Sequence, residues 1–340
     1  MYNCSEDLSV YHDDKVNIGT NIRKQMREHR DANRNRLKRG LKSQGRGHPS
    51  RFIIQGSYRM KTMVQHSEND YDIDDGTSFP PEKLTNQSSQ AMTPQEAKNL
   101  VRDALREGGG LPGDPEILDN CVRVNYAEGH HVDIPVYRET AGTDTTFEIA
   151  STEWRPTNPE EITEWFESEE ERTHVSQDEE PQLRRMVRFL KRYSRNNLGS
   201  DSLSGLLLTI LAAEKYVGHD AREDRAFRNL LSAVKAGLEE NSEIKNPAGD
   251  SIEVLTKSSD ANKIAKLIRQ IGKTLEALNV LDDPNCSKRR ARDAWDKAFN
   301  TDFFRNLGDD DDDNGGRAPY TPSPTEPSKK VHIRGPGTAA

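Results

Sequence analysis

Asp70-Tyr-Asp-Ile-Asp-Asp-Gly76, continued by Thr77-Ser-Phe79 and stopped at Pro80-Pro81, alternates acidic and apolar residues with the period of a half-buried strand. Two positions apart on one strand, Asp72 and Asp74 project from the same face with Cα atoms about 6–7 Å apart, while Ile73 points into the core behind them. Carboxylates held that close repel unless a cation lies between them, and oxygen donors on a rigid strand suit Mg²⁺. His131-Val-Asp-Ile134 is a second alternating strand, on which Asp133 can face the pair. Three acids converging on a sheet describe a two-metal site, which activates a hydroxyl and stabilises a pyrophosphate leaving group. A single Asp-x-Asp, by contrast, is better explained by a solvated strand face or a turn.

Upstream, Arg51-Phe-Ile-Ile-Gln55 is a short apolar strand followed at once by Gly56-Ser57, and Tyr58 to Val64 reads as the start of a helix. A glycine that lets the backbone approach, then a serine where a helix begins, makes a phosphate cradle. The dipeptide alone is common. Its value lies in the order: strand, Gly-Ser, helix start, Asp-x-Asp, then a later strand aspartate.

Gln55-Gly-Ser57, Asp72-Ile-Asp-Asp-Gly-Thr77 and His131-Val-Asp-Ile-Pro135 resemble the active-site signature of the polymerase-β-like nucleotidyltransferases. The Asp-Ile-Asp-Asp-Gly-Thr string with Val-Asp-Ile-Pro is similar to the bacterial cyclic GMP-AMP synthase (DncV-like) group of CD-NTases. Trp154 and the run from Pro159 to Trp165-Phe166 resemble the segment after the third aspartate in that group, so the likeness extends over roughly residues 50 to 305.

The rest of the chain is read by periodicity. Ile22, Met26, Leu37 and Leu41 keep a helical spacing on a very polar background, ending at Gly45, Gly47 and Pro49. Gln95 to Arg106 is an amphipathic helix entered through Thr93-Pro94 and closed by Gly108-Gly-Gly110. Strands follow at Cys121–Tyr126, His131–Tyr137 and Thr145–Ile149. Helices are expected at Pro159–Glu171, Leu183–Tyr193, Leu203–Tyr216, Phe227–Leu238, Ala261–Leu278 and Ala291–Phe304, the third nearly all apolar. From Asp309 onward five successive aspartates and five prolines mark a tail unable to bury a core.

The fold class expected is therefore α+β, with a polymerase-β-like nucleotidyltransferase core sheet and a C-terminal α-helical domain forming a cleft. Residues 1–150 would be the core with its basic N-terminal helix, 151–308 the helical domain closing over nucleotides, and 309–340 a disordered tail.

Composition constrains the class further. Of 340 residues 32% are hydrophobic and 31% charged, so the core is concentrated in particular segments. No run reaches the roughly 18–20 apolar residues of a bilayer span, and the first fifteen residues lack the basic-then-apolar plan of a leader. Cys4, Cys121 and Cys286 are isolated, so neither a disulfide framework nor a zinc ladder is indicated, and a reducing cytoplasm fits. The net charge of −8 hides a block between Asn21 and Arg51 with eleven Lys or Arg against Glu28 and Asp31. Such a block suits phosphates, of nucleic acid or nucleotides, or else a solvated helix face packed on an acidic body.

The resemblance implies more than the residues do. Asp72, Asp74 and Asp133 would be catalytic and would hold two Mg²⁺ or Mn²⁺ ions, and Gln55, Gly56 and Ser57 would bind the donor nucleotide. Lys191, in Val187-Arg-Phe-Leu-Lys191, and Ser204, thirteen residues later, match positions that related synthases place on the donor triphosphate. Read physically, Lys191 is equally a solvated charge and Ser204 equally a helix cap. The substrates implied are ATP and/or GTP. The product implied is a cyclic di- or trinucleotide such as 3′,3′-cyclic GMP-AMP, which activates an effector in antiphage signalling, with neither membrane nor nucleic acid required. Arg334-Gly-Pro-Gly-Thr-Ala-Ala340 would be a handle for an E1/E2-like conjugating protein or an ordinary frayed end. The alternatives are a linear nucleotidyltransferase acting on RNA or protein and a silent nucleotide-binding scaffold.

Overall fold

The computed structural model describes residues 1–66, 71–140, 146–174, 180–248 and 253–308. The expectations for Asp70, for Thr145 and for the tail from Asp309 to Ala340 fall outside these residues.

The chain opens with α1 (Ser5–Tyr11), a π-helical turn (His12–Val16) and the long α2 (Thr20–Ser43). Next come β1 (Arg51–Ile54), the single-turn α3 (Gly56–Arg59), β2 (Asp72–Phe79) and α4 (Pro94–Glu107). Six further strands complete the core sheet: β3 (Glu116–Ile117), β4 (Val122–Asn125), β5 (His131–Ile134), β6 (Val136–Thr140), β7 (Thr146–Ala150) and β8 (Trp154–Thr157), with β3 and β8 at its edges. The remainder is helical: α5 (Glu161–Thr173), α6 (Gln182–Leu198), α7 (Gly205–Lys215), α8 (Glu223–Glu240), α9 (Asp260–Leu278) and α10 (Lys288–Phe299).

The strand after β1 leads into one helical turn rather than the longer helix expected from Tyr58 to Val64, because the chain turns at Lys61 (φ 57°). The short α1, β3 and β8 escaped the sequence reading: elements of two to seven residues carry too few periods of a pattern to register.

β2 is the hub of the sheet, whose order is β3-β4-β5-β2-β6-β7-β8, with β1 also antiparallel to β2. One parallel register runs from Asp72 against His131 to Phe79 against Arg138, so β5 and β6 are a single path divided at Pro135, which has no N–H to donate. Beyond Pro135 the partner changes: β5 pairs antiparallel with β4, β6 with β7.

Alternation along β2 separates two faces. Asp72 and Asp74 share one. Ile73 and Asp75 share the other, where α2 and α4 cover an apolar layer that includes Val122, Val124, Val132 and Ile134. Asp75 is almost fully buried there and accepts from Arg34 Nε of α2 at 2.7 Å. Several arginines of the basic block are likewise engaged in bonds within the chain. Arg39 donates to Gly108 O at 2.7 Å and Arg46 to Thr85 O at 2.6 Å, while Arg36 bonds the carbonyls of Gly109 and Gly110.

α2 crosses α4 at Gly40, where a Cβ would stand 1.7 Å from Ala104 O. Gly40→Ala gains helix propensity of up to about 1 kcal/mol but forces two backbones apart, a cost of about 1–3 kcal/mol or more. The clash wins, so urea denaturation is expected to show a lowered midpoint with an unchanged m-value.

In the helical half, Phe189 and Tyr193 of α6, Phe227 of α8 and Trp295 and Phe299 of α10 form one aromatic core. The N-terminal residues pack on this half. Tyr11 packs at a tilt against Phe299 and Phe304, Cys4 N donates to Asp224 Oδ2 at 2.9 Å, and Arg292 Nε donates to Asp7 Oδ2 at 2.9 Å. A boundary at residue 150 therefore leaves α1 with the first segment in sequence but with the second in packing. All three cysteines are free.

Candidate active site

Asp74 and Asp133 are register partners on adjacent parallel strands, so their side chains leave the sheet on the same face, beside Asp72. Ligand atoms of Asp72, His131 and Asp133 lie within 4.8 Å of one another, and His131 Nε2 is 3.5 Å from Asp72 Oδ1. Asp74 presses against the Gly-Ser turn: a Cβ on Gly56 would be 2.2 Å from its Oδ2. Gln55 N also donates to the Asp74 carbonyl at 2.9 Å, locking turn to strand. Burial first, then the charges of Asp72 and Asp133, push the Asp74 carboxyl up to about 7, against the opposing pull of His131 and Arg123. Clustered oxygen donors that resist ionising together are the chemistry of a divalent-cation site, and these residues fit one.

Asp133 is the most enclosed of the three acids. Across the antiparallel β4–β5 pair its register partner is Arg123, whose Nε and one terminal nitrogen donate to its two oxygens at 2.6 and 2.7 Å. Sequence reasoning missed Arg123. Its only signal is its place on a strand expected at Cys121–Tyr126, and nothing in the sequence sets the register that puts it opposite Asp133.

Gly56 adopts φ 63°, the left-handed region that a side chain disfavours. The first bond closing α3 runs from Arg59 N to Gln55 O, so the preceding N–H groups of Gly56, Ser57 and Tyr58 are not spent on the helix itself. The Gln55 amide is held by Tyr137 Oη at 2.8 Å, and Gly76 leaves room for that tyrosine, since a Cβ there would meet its ring at 2.4 Å.

A cleft of about 780 Å³ opens here, with Asp133 behind its wall rather than in its lining. Its walls include Gln55, Gly56, Ser57, Asp72, Asp74 and Arg123 from the sheet side, and Thr163, Lys191, Gly205 and Thr209 from the helices. Lys191 is buried, not a solvated charge: its Nζ donates to Thr62 O at 3.2 Å and to Thr62 Oγ1 at 3.1 Å, just past the Gly-Ser turn. Neighbouring Arg188, fully buried on α6, donates to Lys61 O at 2.9 Å, so α6 grips this loop twice. Burial first, then Arg188 and Arg195, pull Lys191 down to about 7. The fold then binds fewer protons than the open chain above that pH, so this lysine's effect on stability becomes more favourable as pH rises from about 7 toward 10.5. Ser204 is exposed and caps α7, accepting from Leu207 N at 3.3 Å. It stands outside the cleft lining, next to Gly205, which lies within it.

A β2-centred mixed sheet carrying convergent aspartates beside a Gly-Ser turn, with helices across the cleft, defines a nucleotidyltransferase of the polymerase-β-like kind. Residues 50–137 match the family model described as cyclic GMP-AMP synthase DncV-like, nucleotidyltransferase domain. Over those residues the chain carries a DncV-like nucleotidyltransferase domain.

Solved structures share the fold over nearly the whole described chain. The Vibrio cholerae DncV cyclic AMP-GMP synthase in complex with nonhydrolyzable GTP is 17% identical, with 88% of this chain and 96% of that chain covered and a TM-score of 0.68. Escherichia coli MS115-1 CdnC with ATP is 18% identical, covering 88% and 98%, with a TM-score of 0.64. The 3′-deoxy GTP-bound E. coli DncV is 15% identical, covering 86% and 94%, at 0.63. Among the described residues no helix is long and apolar enough to cross a membrane.

Proposed function

We propose that this chain joins ATP and/or GTP into a cyclic di- or trinucleotide, 3′,3′-cyclic GMP-AMP being the leading product, as the second messenger of a bacterial antiphage system. The observation that carries the reading is the meeting of Asp72, Asp74 and Asp133 on one face of the sheet, against the Gly56 turn and across from Lys191. The DncV-like domain match and the nucleotide-bound relatives support it.

In this reading residues 1–150 supply the catalytic core and 151–308 the helices over the nucleotides. The N–H groups of the Gly56-Ser57 turn cradle the donor phosphates, with the Gln55 side chain beside them. Lys191 adds positive charge from the helical side, and Ser204 lies one residue from the cleft wall. Asp72, Asp74 and Asp133 would hold Mg²⁺ or Mn²⁺, which when bound makes a ribose hydroxyl a better nucleophile and neutralises charge on the leaving pyrophosphate. The sheet aligns the acceptor hydroxyl with the donor α-phosphate, and this positioning accounts for much of the rate. A second attack closes the ring. V. cholerae DncV has been solved with the linear intermediate 5′ pppA(3′,5′)pG, which supports a two-step route. The effector would be reached through the product, and Arg334 to Ala340 would be the handle of an E1/E2-like conjugating protein.

The test is incubation with radiolabelled NTPs and Mg²⁺ or Mn²⁺, then phosphatase. A short phosphatase-resistant species, lost in Asp72→Ala, is expected. Label confined to long polymers would assign the chain to linear transfer instead, and nucleotide binding with no product under any activating condition would make it a scaffold.

A further inference from the structure

On the far side of the sheet from the cleft, three side chains used by none of this chemistry converge. His29 projects from α2, and Glu128 and His130 come from the turn joining β4 to β5. One ligand atom from each lies within 4.8 Å of the others. We propose that His29, Glu128 and His130 form a binding site for a borderline divalent ion, Zn²⁺ foremost, that ties α2 to the β4–β5 turn.

The donors are the right kind. Two imidazoles and a carboxylate are a set Zn²⁺ accepts, leaving a fourth position to water, whereas Mg²⁺ and Ca²⁺ prefer oxygen alone. The three are also held in place. The His29 ring stacks on Tyr126 with centroids 3.7 Å apart and planes 6° apart. Gln25, one turn before His29 on α2, donates from Nε2 to Glu128 Oε1 at 3.0 Å. His130 is buried, and the turn beneath it is closed by Tyr126 N donating to His130 O at 2.9 Å. Partners that orient the ligands are what distinguish a prepared site from a chance cluster.

His29 Nδ1 and His130 Nε2 are 2.7 Å apart and share one proton. Nitrogens each about 2.0–2.1 Å from a tetrahedral ion sit roughly 3.3 Å from one another, so the rings must part by about half an ångström. His29, only half-buried, can supply that movement. The shared proton moves to the other nitrogen of the same ring, and both imidazoles stay neutral. Burial lowers the basicity of both histidines, His29 also through Arg36 and His130 also through His29, while Glu128 acts the other way on each and Glu28 on His29. Neutral imidazole is the form that binds metal.

The location gives the ion a consequence. The same hairpin carries Arg123 and Asp133 as the third cross-strand pair from the turn. An ion clamping the turn to α2 stiffens the support of Asp133, the acid just behind the cleft wall.

Zn²⁺ titration by calorimetry, together with Co²⁺ absorption, tests this on the full chain. With Mg²⁺ saturating the cleft, one Zn²⁺ per chain is expected to bind, and Co²⁺ in its place to show tetrahedral bands. Glu128→Gln, at an exposed position, and His29→Ala are each expected to weaken binding at least tenfold, and Asp74→Asn to leave it unchanged. Zn²⁺ should raise the melting temperature of wild type but not of Glu128→Gln. Equal Zn²⁺ affinity in wild type, Glu128→Gln and His29→Ala, or binding abolished by Asp74→Asn, would overturn the assignment.

Discussion

Asp74→Asn is expected to reduce product formation about 10³-fold or more while making the metal-free protein more stable above neutral pH. The loss follows from removing one of three converging carboxylates, whose electrostatic contribution to the transition state is several kcal/mol, at about 1.4 kcal/mol per tenfold in rate. The gain has the opposite origin. In the fold this carboxyl is pushed up to about 7 from an ordinary 3.8 by burial, Asp72 and Asp133. The folded chain therefore holds a proton that the unfolded chain has lost. Its stabilising effect is complete below about 4 and disappears as pH climbs through about 7. An amide carries no such pH dependence. Differential scanning fluorimetry in EDTA should show the variant more stable than wild type at pH 8, with a Tm higher by roughly 2 °C or more. The gap should narrow steadily as pH falls from about 7 toward 4, where the two should coincide. Mg²⁺ should raise the wild-type Tm at pH 8 and do far less for the variant. A variant less stable than wild type at pH 8 would contradict the crowded-carboxylate account.

Gly56→Ala is expected to cost activity out of proportion to stability. Two effects meet at this residue. Its φ of 63° costs a non-glycine residue about 1–2 kcal/mol, which bears on folding. The new methyl would also lie 2.2 Å from Asp74 Oδ2, and a carboxylate end moves more readily than a backbone. Asp74 therefore yields, the fold survives, and the acid is displaced from its place beside Asp72 and Asp133. Displacement of a reacting group by about 1 Å lowers rates about 10²-fold, so turnover should fall at least that far with a Tm drop of only a few degrees. Product assays and melting curves on one preparation check it. Near-normal turnover would mean that the Gly56 turn does not set the position of Asp74.

The alternation Asp72-Ile73-Asp74 and the second string His131-Val132-Asp133 were legible because a strand's period of two puts those acids on one face whatever lies around them. The helices at Gln95, Leu183, Phe227 and Ala261 were legible too, each burying a stripe at the helical period. Lys191 was not. A lysine amid apolar residues on a helix reads alike whether its head reaches water or, as here, the carbonyl of Thr62, 129 positions away in sequence. Nor was Arg123, whose meaning depends on which residue it faces.

Local chemistry thus determined which residues could do this work: short-range periodicity and the glycine-serine order are properties of neighbouring residues, and they survive in a bare string of letters. Only the tertiary structure decided how those parts meet. The parallel register of β2 with β5, the Arg123–Asp133 pair, the grip of α6 on the loop at Lys61 and Thr62, and the histidine pair across α2 all join distant segments. Such contacts are selected by the packing of the whole chain, which no local window of sequence contains.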